Sequence, residues 1–424
     1  MDLTRRETAK LAFAAGAATL FAPNVARAAN PKLVVVGGGP GGATVAKYAA
    51  RDSNGALDVT LVEQNPMHTT CFFSNLYIGD AYGFDDLTHS YDHLANTHGV
   101  NMVYARAEKV ETGRVMLADG STLDADAIVI APGIDFKYDL YEGYDEGVAA
   151  TRIPHAYKAG PQTQLLKKQV KAMADGGTVI ICPPPNPFRC PPGPYERASM
   201  IAKILKAEKP NSKILILDAK DKHSKQGLFQ EGWETHYPGM IEWVPAEFTG
   251  GGIASVDARA MSVTTMDGET FEGDVINMIP AQKAGMLAIA SGLTGDGDWA
   301  PMNPATFEST LVPGVHVLGD ACAQGDMPKS GFSANSQAKV VANAVRASLT
   351  GSRAFPPRFR NTCWSLVADE WGIKVGADYV AGDDKVTKTE GFLSPSDAAA
   401  DLRAATAAEG YDWYAAIAQD IWGA

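Results

Sequence analysis

Between Leu33 and Glu63 the chain reads as strand, glycine turn, helix, strand and acid, an order that leaves few folds open. The apolar run Leu33-Val34-Val35-Val36 meets Gly37-Gly38-Gly39-Pro40-Gly41-Gly42, a helix-like stretch from Ala43 to Ala50 follows, and Val59-Thr60-Leu61-Val62 ends in Glu63. Gly37, Gly39 and Gly42 fit the dinucleotide fingerprint: a tight turn, close approach of backbone to a pyrophosphate, and close packing of helix on strand, with the pyrophosphate at the helix N-terminus. Glu63 lies 21 residues beyond Gly42, where a carboxylate accepts hydrogen bonds from an adenosine ribose. The chain therefore opens an α/β nucleotide-binding domain, and its 424 residues leave room for two to three domains at roughly 150 each.

Part of that plan recurs. Asp119-Gly120, Asp126 and Pro132 return as Asp267-Gly268, Asp274 and Pro280 with the same spacings, each set joining a hairpin turn to an apolar strand. The second copy begins with Thr178-Val179-Ile180-Ile181 and later gives Lys213-Ile214-Leu215-Ile216-Leu217 ending in Asp218. Between them the glycines are replaced by Cys182-Pro183-Pro184-Pro185-Asn186-Pro187-Phe188-Arg189-Cys190-Pro191-Pro192-Gly193-Pro194. Seven prolines remove seven backbone donors from the place a pyrophosphate needs them, so this domain is expected not to bind NAD(P)H. Electrons must then come from a substrate that reaches the first cofactor directly.

Ahead of the first strand, Thr4-Arg5-Arg6, the apolar Leu11 to Ala18 and the small-residue site Ala26-Arg27-Ala28 read as an export signal of the twin-arginine type, with the mature chain starting near Ala29. The apolar run is well short of the ~20 residues a membrane span needs, and no later stretch is long enough to cross a bilayer. The periplasm is the expected compartment, where disulfides persist. Net charge is −12, which excludes nucleic acid and anionic membrane as main partners. No metal-ligand pattern is present. Five cysteines are an odd number and allow several pairings.

Two further segments, Ala127-Ile128-Val129-Ile130-Ala131-Pro132-Gly133 and Gly314-Val315-His316-Val317-Leu318-Gly319-Asp320, make the chain resemble the glutathione-reductase-like FAD enzymes. Pro132 stands where that family usually has threonine. The resemblance implies an α/β fold of two dinucleotide-binding domains plus a smaller C-terminal domain, and an Asp320 that binds the ribityl chain of FAD. Expected boundaries are 1–28 for the signal, 29–145 with 283–350 for the FAD domain, 146–282 for the second domain and 351–424 for a C-terminal interface domain.

Cys71, in His68-Thr69-Thr70-Cys71-Phe72-Phe73-Ser74-Asn75, narrows the resemblance. With the proline-flanked Cys190, the late Cys363 and the export signal, the chain resembles the flavoprotein subunit of flavocytochrome c sulfide dehydrogenase. That resemblance implies a covalent thioether from Cys71 to FAD, a redox-active Cys190–Cys363 disulfide, and Glu196 placed to move the proton of incoming hydrogen sulfide. Lys329 is expected to set a positive charge near the flavin pyrimidine, while Cys182 and Cys322 read as inert buried thiols. No CxxCH occurs, so haem is expected only on a partner, a c-type cytochrome subunit in a heterodimer. Phe355, Phe359, Trp364, Trp371, Tyr379, Trp413 and Trp422 are material for that contact, for the disulfide, or for both. The competing readings are a sulfide:quinone oxidoreductase, with Tyr411 to Trp422 as a membrane-facing segment, and a flavin electron-transfer protein without substrate chemistry.

Overall fold

The structure is a computed structural model describing residues 29–423; the expected export signal, residues 1–28, lies outside the described residues. Strand Lys32–Val36, with four buried apolar side chains in a row, lies at the centre of a five-stranded parallel sheet. Asp58–Glu63 and then Asn101–Tyr104 pair on one side of it, Ala127–Ile130 and then Val315–Val317 on the other. Continuous apolar strands are what a sheet covered on both faces requires. The glycine-turn helix runs Pro40–Ser53, longer than its sequence pattern implied, with proline in its first turn and Asn54 closing it in a left-handed conformation. Its buried residues include Gly41, Gly42, Ala43, Val45, Ala46 and Ala49, small side chains that let the long helix Gly331–Thr350 pack closely against it.

The second sheet repeats the order with Thr178–Cys182 at its centre, flanked by Lys213–Leu217 and Ile241–Val244 on one side and Val275–Met278 on the other. The repeated residues take matching roles. Asp126 accepts a hydrogen bond from the Lys32 N–H at 2.7 Å, and Asp274 from the Thr178 N–H at 2.8 Å, each carboxylate fixing the start of its sheet's central strand. Gly120 and Gly268 turn their hairpins at φ 84° and 94°, which a side chain would resist. Just beyond Pro132 and Pro280, Ile134–Phe136 and Gln282–Ala284 pair antiparallel and tie the halves together.

The C-terminal region is a three-stranded antiparallel sheet, Arg358–Ala368, Trp371–Ala381 and Val386–Leu393, followed by helix Ala400–Trp422. A sheet this small needs a neighbour to be stable, and the helix supplies one by packing on the first half. Trp422, 2% exposed, stacks on His68 and His89, and the Tyr414 hydroxyl bonds Thr70 and His89. Asp420 accepts from Tyr48, Asn335 and Lys339. This corrects the reading of the aromatics as docking material. Phe359, Tyr379 and Trp422 are buried, while Trp364 and Trp413 stack on aromatic neighbours of their own chain and Trp371 meets His236 edge-on. Only Phe355 of that group is largely exposed, at 62%. Among the described residues no helix is long and apolar enough to cross a membrane.

Candidate functional site

A cavity of about 940 Å³ opens at the C-terminal ends of the first sheet's strands, where parallel α/β folds bind ligands. Gly37, Gly39 and Gly41 line it, and the turn has no room for a side chain at Gly37, Gly38 or Gly42. A Cβ on Gly37 would lie 2.6 Å from the Ala131 carbonyl oxygen, and one on Gly42 only 1.9 Å from that of Gly37. Gly42 itself is not in the cavity wall; it lets the helix close on the strand. Glu63 lines the cavity with one oxygen held by the Gly38 N–H at 2.7 Å and the other by the Asn65 N–H at 3.0 Å.

Asp320, beyond strand Val315–Val317, pairs through Oδ2 with Arg189 Nε at 2.6 Å. Its Oδ1 is buried without a partner. A buried carboxylate oxygen in a cavity wall calls for a donor, and the hydroxyls of a ribityl chain supply one. Glycine cradle, helix N-terminus, strand-end acid and orphan oxygen together fit FAD. Cys71 lines the same cavity. Burial raises its thiol pKa, the Arg189 guanidinium opposes that, and the net shift is upward.

Arg189 went unassigned in the sequence, lost among prolines. It reaches from the second half's proline turn into the first half's cavity, paired with Asp320 and donating to the Tyr157 carbonyl at 3.2 Å. Lys329, expected near the flavin pyrimidine, is buried behind the turn that carries Asp320. Its ammonium donates to the carbonyls of Asp320 and Cys322 at 2.9 and 2.7 Å and sits over the Trp299 ring, bracing the turn behind the cavity wall. The cation in the wall beside Cys71 and Asp320 is Arg189, because two free carbonyls capture Lys329 first.

Cys190 ends the proline turn in a left-handed conformation, φ 54°, with its N–H bonded to the Lys329 carbonyl at 2.8 Å. A Cβ on Gly193 would lie 3.1 Å from Cys190 Sγ, so that glycine keeps the sulfur uncrowded. Cys363 lies on strand Arg358–Ala368, where its Sγ accepts from Asn361 Nδ2 at 3.3 Å. Both are free thiols in this structure. Burial raises both, and charge on Cys363 raises Cys190 further. Glu196, in the first turn of helix Gly193–Glu208, is held by Asn75 Nδ2 at 2.8 Å and the Leu366 N–H at 2.9 Å, and burial raises its carboxyl. Cys190 feels the charges of Cys363, Glu196, Cys71 and Lys225, so residues far apart in sequence share one electrostatic neighbourhood. Cys182 and Cys322 are buried thiols pushed up by burial, Cys322 to about 12.

The second half's equivalent crevice is filled by protein. Asp218 ends its strand as Glu63 does, yet it is wholly buried and satisfied by the Tyr195 hydroxyl at 2.5 Å, Trp243 Nε1 at 2.9 Å and Lys220 at 2.5 Å. Lys220 also donates to the Pro184 carbonyl and lies over the buried Phe188 ring. Wholly buried under these three donors, Asp218 is out of reach of a ribose.

Family models match in three blocks: pyridine nucleotide-disulphide oxidoreductase over residues 31–172, the central domain of the sulfide dehydrogenase [flavocytochrome c] flavoprotein chain over 163–280, and the flavin-binding domain of flavocytochrome c sulphide dehydrogenase over 355–422. Among solved structures, the sulfide:quinone oxidoreductase of Aquifex aeolicus superposes with a TM-score of 0.70 at 16% identity, covering 92% of each chain. An NAD-dependent persulfide reductase from A. fulgidus gives 0.61 at 14% identity, covering 89% of this chain and 77% of that one. A ferredoxin reductase from Rhodopseudomonas palustris gives 0.59 at 16%, covering 82% of each. Fold and cavity thus define an FAD-dependent oxidoreductase with two dinucleotide-binding domains. Within that class, the central and flavin-binding matches show that the chain belongs to the flavoprotein chains of flavocytochrome c sulfide dehydrogenase.

Proposed function

We propose that this chain oxidises hydrogen sulfide to sulfur or polysulfide in the periplasm, through a Cys190–Cys363 disulfide and FAD held covalently by Cys71, and passes the electrons to a c-type cytochrome subunit. The observation that carries this reading is that Glu196 joins the two cysteine-bearing segments: it follows Cys190 in the first turn of helix Gly193–Glu208 and accepts from the Leu366 N–H on the strand of Cys363, in a second half whose Asp218 is buried and engaged. The engaged Asp218 and the proline turn leave the second half without the carboxylate and backbone donors a nicotinamide dinucleotide uses, which favours entry of reducing equivalents through the sulfurs.

Hydrosulfide attacks one sulfur of the disulfide; a new S–S bond forms, the Cys190–Cys363 bond breaks, and its electron pair stays on the other cysteine as thiolate. Glu196, its carboxyl raised by burial, takes the proton that the substrate sulfur gives up. When bound, FAD supplies a two-electron acceptor able to discharge one electron at a time. Arg189 and Asp320 hold the cavity wall, and Cys71 is positioned to anchor the cofactor. The quinone alternative loses its sequence support, since Tyr414, Ile417, Ile421 and Trp422 of the supposed membrane-facing segment are packed inward.

The deciding experiment is anaerobic sulfide addition to the exported protein, together with peptide mass mapping under non-reducing conditions. The reading expects flavin mass on the Cys71 peptide, a Cys190–Cys363 link, and bleaching of the flavin that added periplasmic cytochrome reverses. Flavin that stays oxidised would overturn it; bleaching reversed by quinone in liposomes and not by cytochrome would favour the quinone reading.

A further inference from the structure

Lys225 is a cation where a cation by itself is costly. It directly precedes helix Gln226–His236 with left-handed backbone, φ 58°, and is 7% exposed, so its charge is both desolvated and set against the positive end of the helix dipole. Its ammonium donates to the Cys363 carbonyl at 3.0 Å and to the Ser365 hydroxyl at 2.8 Å, and among the described residues no carboxylate forms a salt bridge with it. The titratable groups that face it are Cys363, Glu196 and Cys190, and burial lowers its own pKa to about 8. Glu196 is already engaged by Asn75 and Leu366.

The two sulfurs are not alike. Cys363 Sγ accepts from Asn361 Nδ2, whose amide is oriented by the Ser330 hydroxyl on Asn361 Oδ1 at 2.6 Å, and Lys225 is the foremost charge opposing the effect of burial on that thiol. Glu196 and the neighbouring Tyr379 are the other titratable groups near Cys363. At Cys190, among the described residues, no N–H or O–H is directed at the sulfur, and the charges of Cys363, Glu196 and Cys71 outrank that of Lys225. Opening the disulfide with two electrons and one proton leaves one thiol and one thiolate. We propose that Lys225 is the counter-charge of a thiolate on Cys363 in the opened pair, with Cys190 as the thiol. This rests on the disulfide reading above and adds to it a polarity and a residue that acts electrostatically through Cys363.

The test uses the flavin-loaded protein, reduced with dithiothreitol, freed of reductant anaerobically and alkylated with iodoacetamide over a pH series, with both cysteine peptides quantified by mass and thiolate absorbance followed in parallel. Cys363 should titrate at least about one pH unit below Cys190. Lys225→Met should raise the Cys363 midpoint by about one unit or more, a roughly tenfold loss of thiolate at neutral pH, and shift Cys190 by less; Lys225→Arg should restore most of it. Cys190 titrating first, or an unmoved Cys363 in a Lys225→Met protein with native circular dichroism and full flavin content, would overturn the proposal. A peptide map of the oxidised protein separates the two readings: no Cys190–Cys363 link sinks the disulfide, whereas a link with an unmoved Cys363 sinks only the role of Lys225.

Discussion

The two halves of this molecule start from one plan and end with opposite surfaces. Each has a central parallel strand whose start is fixed by an aspartate, Asp126 or Asp274, a hairpin turned by glycine, and an acid at the end of the second strand. In the first half, glycines let a helix N-terminus face an open cavity, and Glu63 stands in its wall. In the second, prolines fill the turn, Asp218 is consumed by Tyr195, Trp243 and Lys220, and the loop instead carries Arg189 and Cys190 back toward the first half. Where the first half keeps an open turn, the second half sends Arg189 into the wall of the first half's cavity and ties Cys190 to the Lys329 carbonyl. The backbone plan is therefore a weaker guide to ligand than the handful of atoms in each turn.

The largest effect should come from closing the open half. Gly42→Val puts a side chain on top of the Gly37 carbonyl, and the protein is expected to be isolated without flavin, read from its visible spectrum. Next, Cys71→Ser should leave a folded protein whose flavin is released by denaturation and no longer travels with the 71 peptide.

Asp320→Ala strands the buried Arg189 charge, so chemical denaturation should show a loss of about 3–5 kcal/mol along with weaker flavin retention. The opposite intervention sharpens the contrast: Lys220→Met should cost a similar amount, because Asp218 is wholly buried, yet NADH titration followed by fluorescence should still show no binding while the prolines remain. If NADH did bind, the plug and not the turn would be what disabled this half.

Two pH effects are smaller. Sulfide-driven bleaching should fall as pH rises through about 8, since Lys225 is charged below that value and neutral above it; stopped-flow rates across a pH series check this. Burial pushes Asp420 up, but the hydrogen bonds from Lys339, Tyr48 and Asn335 outweigh it and leave its carboxyl below the usual value. Its stabilising effect on the C-terminal helix is thus present above the ordinary carboxylate pKa and lost as pH falls through the depressed folded value. Asp420→Asn should remove that acid sensitivity and cost about 1–3 kcal/mol at neutral pH.

Much of this was legible along the chain because the signals are local. Glycine spacing, apolar strands and the recurring Asp-Gly, Asp and Pro positions depend only on neighbours in sequence, and a run of prolines removes donors in any fold. Cys190, Cys363 and Glu196 were picked out through the family they resemble, and the structure places them together. Lys225 could not be read the same way, since Lys220, Lys222 and Lys225 look like an ordinary solvated run. The placing of Arg189 in the cavity wall and of Lys329 on the carbonyls of Asp320 and Cys322 could not be read from spacing, because the partners of a buried cation are decided by distances of a few ångströms across elements. The C-terminal aromatics were misjudged for a related reason: a sequence shows that they are apolar, and only packing shows which surface they cover. What the sequence by itself determined is the local grammar, two α/β halves with one cradle built and one refused. What only the tertiary structure decided is which charges face which sulfurs, because electrostatic neighbours in a folded chain are set by strand order and side-chain reach, and neither is written in spacing.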